Sequence, residues 1–141
     1  MIADLNDLTA DFIDTSIEAR EWAWSELRVR YNSPQCIVLR YKGKITGVVF
    51  YTVDGDDVTD TMYASNPPWK IADNVAEIRN KITDLVFLHF FDTLGLQRVF
   101  GQTSPGNKRI QGMWKKYTGQ TLNQGLTYDG FVTREQYANK K

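Results

Sequence analysis

Arg98-Val99-Phe100-Gly101-Gln102-Thr103 runs into Ser104-Pro105-Gly106, and then into Asn107-Lys108-Arg109-Ile110-Gln111-Gly112-Met113-Trp114-Lys115-Lys116-Tyr117-Thr118-Gly119. The first six residues read as a short strand that ends in a polar turn. Asn107 suits the opening of a helix, since its side chain can accept a hydrogen bond from the first turn's N–H groups. Gly119 suits the end, because glycine tolerates the left-handed conformation that closes helices. A strand, an Asn at the turn and a basic helix therefore form one unit.

Upstream of this unit lies the clearest helix of the chain. Asn74 and Glu77 have capping-box spacing, and Gly95 follows Leu94 as a stop. Between them Ile78, Ile82, Leu85 and Val86 form an apolar stripe, widened by Phe87, Phe90 and Phe91. A helix joining two neighbouring strands makes a crossover, so Val99–Thr103 is expected parallel to the strand before the helix. That strand is Val58–Ser65, the third of a meander with Gln35–Tyr41 and Ile45–Val53. Lys42-Gly43-Lys44 and Asp54-Gly55 supply the turns, and Asn66-Pro67-Pro68 ends the run. Cys36, Val38, Val48 and Phe50 are expected to share its buried faces.

The first third reads as helical. Ile13, Ile17, Trp24, Leu27 and Tyr31 recur at helical steps on one face, and Asn32-Ser33-Pro34 closes the region. Downstream, Gln120–Leu122 and Leu126–Val132 flank the turn Asn123-Gln124-Gly125. Thr133 and Gln136 form a second capping-box pattern opening a final turn at Tyr137. The expected fold is α/β: a mixed, mostly antiparallel sheet with N-terminal helices, a central crossover helix and a C-terminal β-hairpin.

The 141 residues fit a single domain, spanning 1–141. Seventeen basic residues balance seventeen acidic ones, so no field suited to nucleic acid or a membrane surface is expected. No apolar run nears the roughly 20 residues of a membrane span, and the N-terminus lacks a signal-peptide pattern. One cysteine, Cys36, allows neither an internal disulfide nor a multi-thiolate metal site. These features lead to the expectation of a cytoplasmic protein without a metal.

The order of elements over residues 35–137 resembles that of the GNAT superfamily of acyl-CoA N-acyltransferases. Three strings carry the likeness beside the Asn107 unit: Ile37 to Val49 with its Gly47-Val48-Val49 end, Asp92-Thr93-Leu94-Gly95-Leu96-Gln97-Arg98-Val99, and Phe131-Val132-Thr133-Arg134-Glu135-Gln136-Tyr137. The small size resembles divergent members carried by bacteriophages. The resemblance implies acetyl-CoA as cofactor, a small-molecule or peptide amine as acceptor, and self-association of the homodimer kind.

It also implies site residues. The backbone of Met62, Tyr63, Ala64 and Ser65 would meet the pantetheine arm, and N–H groups of the Val58–Ser65 strand would hold the acyl oxygen. Family members carry Gln/Arg-x-x-Gly-x-Gly/Ala before the central helix, where N–H groups hold the pyrophosphate. The matching Asn66-Pro67-Pro68-Trp69-Lys70-Ile71-Ala72 has no glycine, and its prolines lack N–H donors. Asp73 and Glu77 add negative charge there, which leaves Trp69 and Lys70 as the contacts. Asn107, Lys108 and Arg109 would bind the cofactor as well. The family has a Tyr seven residues after the Asn, where this chain has Trp114; Tyr117 is the substitute general acid. Asp60 is the carboxylate best placed as base.

Each residue also has a plain reading: Asn107 as a helix cap, Trp114 and Tyr117 as core aromatics, and Lys70 as a solvated charge. Lys108, Arg109, Lys115 and Lys116 equally suit a solvated helix face. His89 lies on the apolar stripe and reads as a packed, hydrogen-bonded histidine, and Cys36 as inert packing. Trp24 fits the helical stripe, whereas Trp22 does not and is assigned to a pocket wall. Two functions follow: acetyl transfer to a primary amine by direct attack, or a catalytically silent domain on the same scaffold that binds proteins or acyl-CoA.

Overall fold

The meander turns form as their residues dictate. Lys42 and Gly43 both have positive φ, 52° and 82°, the pattern of a two-residue turn that matches strand twist. The computed structural model describes residues 2–13, 17–28, 30, 35–103 and 128–140. Its strands are β1 (Leu8–Ile13), β2 (Gln35–Tyr41), β3 (Lys44–Asp54), β4 (Asp57–Ser65), β5 (Arg98–Thr103) and β6 (Tyr128–Thr133). They form one sheet in that order. Neighbours are antiparallel except β4 and β5, which run parallel as the crossover requires.

Helix α1 (Ile17–Leu27) and helix α2 (Val75–Phe87) each contribute to one of two apolar clusters. Cys36, Val38, Val48, Phe50 and Ala64 pack with Ala19 and Ala23 of α1. Ile37, Leu39, Val49, Tyr51 and Val58 pack with Ile78, Ile82, Val86 and Phe87 of α2. With both faces covered, β2 is buried continuously from Cys36 to Leu39 rather than alternately.

The N-terminal third differs from its helical reading. Leu8–Ile13 is an edge strand paired with β2, and among the described residues before β2 the helical ones are a 3-10 turn at Leu5–Asp7 and α1. The residues α1 buries are Ala19 and Ala23, while Ile17 is 77% exposed and Trp24 39%. Alanines let the helix approach the sheet closely; Ile17 and Trp24 turn outward, while Trp22 and Leu27 flank the contact. Trp24 instead lies against the guanidinium groups of Arg30 (4.0 Å) and Arg28 (5.3 Å). Trp22 is half-buried and packed on the α1-side cluster, so Trp24, and not Trp22, is the one that lies off the core.

The central helix is also modified. Asn74 stands at the cap position of α2 but makes no capping bond. Its carboxamide accepts from the Ala3 N–H (2.9 Å) and donates to the Ala3 carbonyl (2.7 Å). Lys81 of α2 donates to the Leu5 carbonyl, so the N-terminal segment is tied to this helix at two points. After Phe87 the helix widens into a π-turn, Leu88–Thr93, and ends at Gly95 with φ 67°. That turn buries His89, whose ring stacks on Phe12 at 4.1 Å and whose Nε2 lies 3.4 Å from the Tyr51 hydroxyl. His89 is packed and hydrogen-bonded, as its place on the stripe suggested.

The second capping box forms as read. Gln136 N–H donates to the Thr133 hydroxyl (3.1 Å), and Thr133 N–H donates to the Gln136 side chain (2.9 Å). They open α3 (Arg134–Lys140), longer than a single turn, whose Tyr137 stacks on Phe91 at 5.1 Å. The expected strand at Gln120–Leu122 lies outside the described residues.

Candidate functional site

Among the described residues the parallel pair β4 and β5 is joined by a ladder of two residue pairs, Asp57↔Arg98 and Val58↔Val99. Both strands run on beyond it, β4 to Ser65 and β5 to Thr103. The pairing on the other side of β4 is irregular over the same length. Thr52 pairs with Thr59 and Phe50 with Met62, so Tyr51 alone faces both Asp60 and Thr61. This extra residue is a β-bulge, which bends a strand and re-aims its side chains. It also inverts the alternation: Val58 joins the α2-side cluster, yet Ala64, an even number of residues on, joins the α1-side cluster.

Arg98 stands at the start of the ladder. Its Nε and Nη2 each lie 2.9 Å from a carboxylate oxygen of Asp57, a bidentate pair on the first rung of the ladder. The hydrogen bond and charge of Asp57 raise the Arg98 pKa above its usual value. Past the ladder, the Thr61 hydroxyl donates to the Phe100 carbonyl at 3.1 Å. Beyond the ladder, and beside the bulge, this side-chain bond links β4 to the backbone of β5. Extended backbone edges outside a ladder suit a linear ligand bearing amides.

The sequence-expected residues fall on this frame unevenly. Asp60 lies in the bulge, and Met62, Tyr63, Ala64 and Ser65 follow on the length of β4 beyond the ladder. Tyr63 is exposed and Ala64 buried. Beyond β4, Pro67 is buried and Pro68–Ile71 form a 3-10 turn holding Trp69 and Lys70. Lys70 is exposed; Trp69 is 3% exposed, and its indole N–H has no hydrogen-bond partner among the described residues. Asn107, Lys108, Arg109, Trp114 and Tyr117 lie outside the described residues, as do Lys115 and Lys116. Asp57, Arg98 and Thr61 were missed by sequence reasoning. Nothing in the alternation of β4 marks the bulge, which appears only against β3.

Cys36 is buried, and burial raises its thiol pKa, partly offset by Arg20. No group of three or more His, Cys, Asp or Glu among the described residues is placed to hold a metal ion. No helix of the described residues is long and apolar enough to cross a membrane.

By sequence, neither a family model nor a curated protein matches the chain. By structure the chain is similar to spermidine/spermine N-acetyltransferase SpeG from Vibrio cholerae, with TM-score 0.74 and 8% identity, covering 97% of this chain and 98% of that one. A dodecameric structure of spermidine N-acetyltransferase from the same organism superposes with TM-score 0.68 and 9% identity, covering 96% and 99%. A GCN5-related N-acetyltransferase from Brucella melitensis gives TM-score 0.62 and 12% identity, covering 98% and 80%.

Proposed function

We propose that this chain, whose fold is that of the GNAT N-acetyltransferases, transfers an acetyl group from acetyl-CoA to a primary amine. The observation that carries the reading is the short ladder between β4 and β5, which stops at Val58↔Val99 beside the bulge of β4, so that the strands run on beyond it without regular pairing. Acetyl-CoA supplies an activated acyl thioester with an extended, amide-bearing arm, and the length of β4 from Met62 to Ser65 fits such an arm. The pyrophosphate end is held differently from the family pattern. Pro67 and Pro68 offer no N–H, and Asn74 is committed to Ala3. Charge from Lys70 and the unmet indole donor of Trp69 take that part, with Asn107, Lys108 and Arg109 beyond them.

In this reading N–H groups of β4 stabilise negative charge on the acyl oxygen. Asp60 accepts the proton of the attacking amine, and Tyr117 returns a proton to the departing thiolate. The acceptor is a small amine, supported by neighbours named for spermidine.

A second reading keeps the scaffold and drops the chemistry: a silent domain that binds proteins or acyl-CoA. The glycine-free loop and Trp114 at the family's Tyr position favour it. Calorimetric titration with acetyl-CoA and free coenzyme A, followed by an acceptor screen, decides between them. Micromolar binding weakened by Lys70→Glu, with acetyl transfer to any amine, supports the enzyme. Binding without transfer supports the silent domain, and no binding at millimolar ligand removes the coenzyme reading.

A further inference from the structure

We infer that Thr61 is a latch between β4 and β5: its hydrogen bond to the Phe100 carbonyl holds the two strands together beyond their ladder, and an extended ligand enters between them by breaking it. The inference rests on the coenzyme reading above and adds a residue that positions the strands rather than one that reacts.

Three observations converge. The β4–β5 ladder ends at Val58↔Val99, although both strands continue. The bulge places Asp60 and Thr61 together opposite Tyr51, so one residue is surplus to the pairing with β3. The surplus side chain Thr61 donates to Phe100 O at 3.1 Å in a partly buried position. A ladder made of backbone bonds would have to be unzipped along its length before a ligand could lie between the strands. A single neutral side-chain bond is the least costly closure, because breaking it exposes one acceptor and disturbs no regular structure.

The freed Phe100 carbonyl is then an acceptor on the cleft wall. An amide N–H of the ligand arm can take it, replacing one neutral hydrogen bond by another. The Thr61 hydroxyl, released, turns to the ligand or to water. The latch therefore opposes binding by about the worth of one neutral hydrogen bond, and its removal should tighten binding roughly two- to tenfold. A residue with a merely structural role would have the opposite effect, since its loss would loosen the site.

The test compares wild type with Thr61→Val, which keeps the shape and loses the donor, and with Thr61→Ser, which keeps the donor. Thr61→Ala serves if the valine variant does not fold. Binding of pantetheine, coenzyme A and acetyl-CoA is measured by calorimetry, and amide hydrogen exchange is followed in peptides covering residues 59–65 and 98–103. The expected result is faster exchange and tighter binding of all three ligands in Thr61→Val, with Thr61→Ser like wild type. Wild-type binding that is unchanged or weakened in Thr61→Val overturns the latch alone. Unaltered exchange in Thr61→Val overturns it as well. Failure of every variant and the wild type to bind coenzyme A at millimolar concentration overturns the coenzyme reading, and the latch with it.

Discussion

Arg98 and Asp57 are partners twice over: they face each other across the first rung of the parallel ladder, and their side chains join through two bonds of 2.9 Å. This charged pair thus sits where the ladder begins, and the Thr61 bond to Phe100 lies beyond its end.

The Arg98 side chain is 53% exposed, so its pairing with Asp57 should be sensitive to salt. Arg98→Ala is expected to lower the thermal midpoint slightly at low ionic strength, and less in 1 M NaCl. Its pKa is raised, so the arginine's contribution is complete below its ordinary value and is lost only as pH climbs through the higher folded value. No loss from Arg98 is therefore expected between pH 6 and 10. An equal loss at both salt concentrations would show that charge is not what holds the pair.

Asn74→Ala removes both bonds to Ala3 and leaves the Ala3 backbone, in a 3% exposed residue, without those partners. The expected cost is about 1–3 kcal/mol in urea unfolding. Limited proteolysis should cut first within residues 2–7. Asn74→Asp can accept from Ala3 but cannot donate, and should give an intermediate loss. A loss in Asn74→Ala below a few tenths of a kcal/mol would mean that the tie is not formed in solution.

Helix α1 offers a contrast that ordinary hydrophobicity does not anticipate. Ala19→Leu inserts bulk at a 0% exposed position against the sheet and should cost about 1–3 kcal/mol. Ile17→Ala, at 77% exposure, should change stability by under about 0.5 kcal/mol. Denaturant midpoints of the two variants provide the check. The reverse order would restore the helical stripe of Ile17 and Trp24 as the buried face.

Cys36 gives a pH signature. Burial raises its thiol pKa above 9.0, so the folded protein holds that proton more tightly than the unfolded chain. Its contribution is complete below 9.0 and declines as pH rises from there toward the folded value. The stability gap between wild type and Cys36→Ala should accordingly narrow above pH 9. Alkylation by iodoacetamide at pH 7.5 should proceed only in denaturant. Rapid labelling of the native protein would contradict the buried placement.

Local chemistry carried the parts of the fold that were legible in advance. Lys42-Gly43 turns the chain whatever surrounds it, and Thr133 with Gln136 closes a box of two bonds within four residues. The run Cys36 to Leu39, the stripe Ile78, Ile82 and Val86, and the stop at Gly95 each specify an element through period or backbone freedom. Their order was enough to place β5 parallel to β4.

Partners distant in the chain decided the rest. Asn74 has the composition of a cap, but Ala3, 71 residues away, competes for its carboxamide and wins with two bonds where a cap offers one. Leu8–Ile13 is a strand because β2 presents a free edge to it. The bulge at Asp60 and Thr61 exists only in register with Tyr51. A surplus residue has no meaning within a single strand, and the end of the β4–β5 ladder, on which the candidate site depends, likewise exists only between strands.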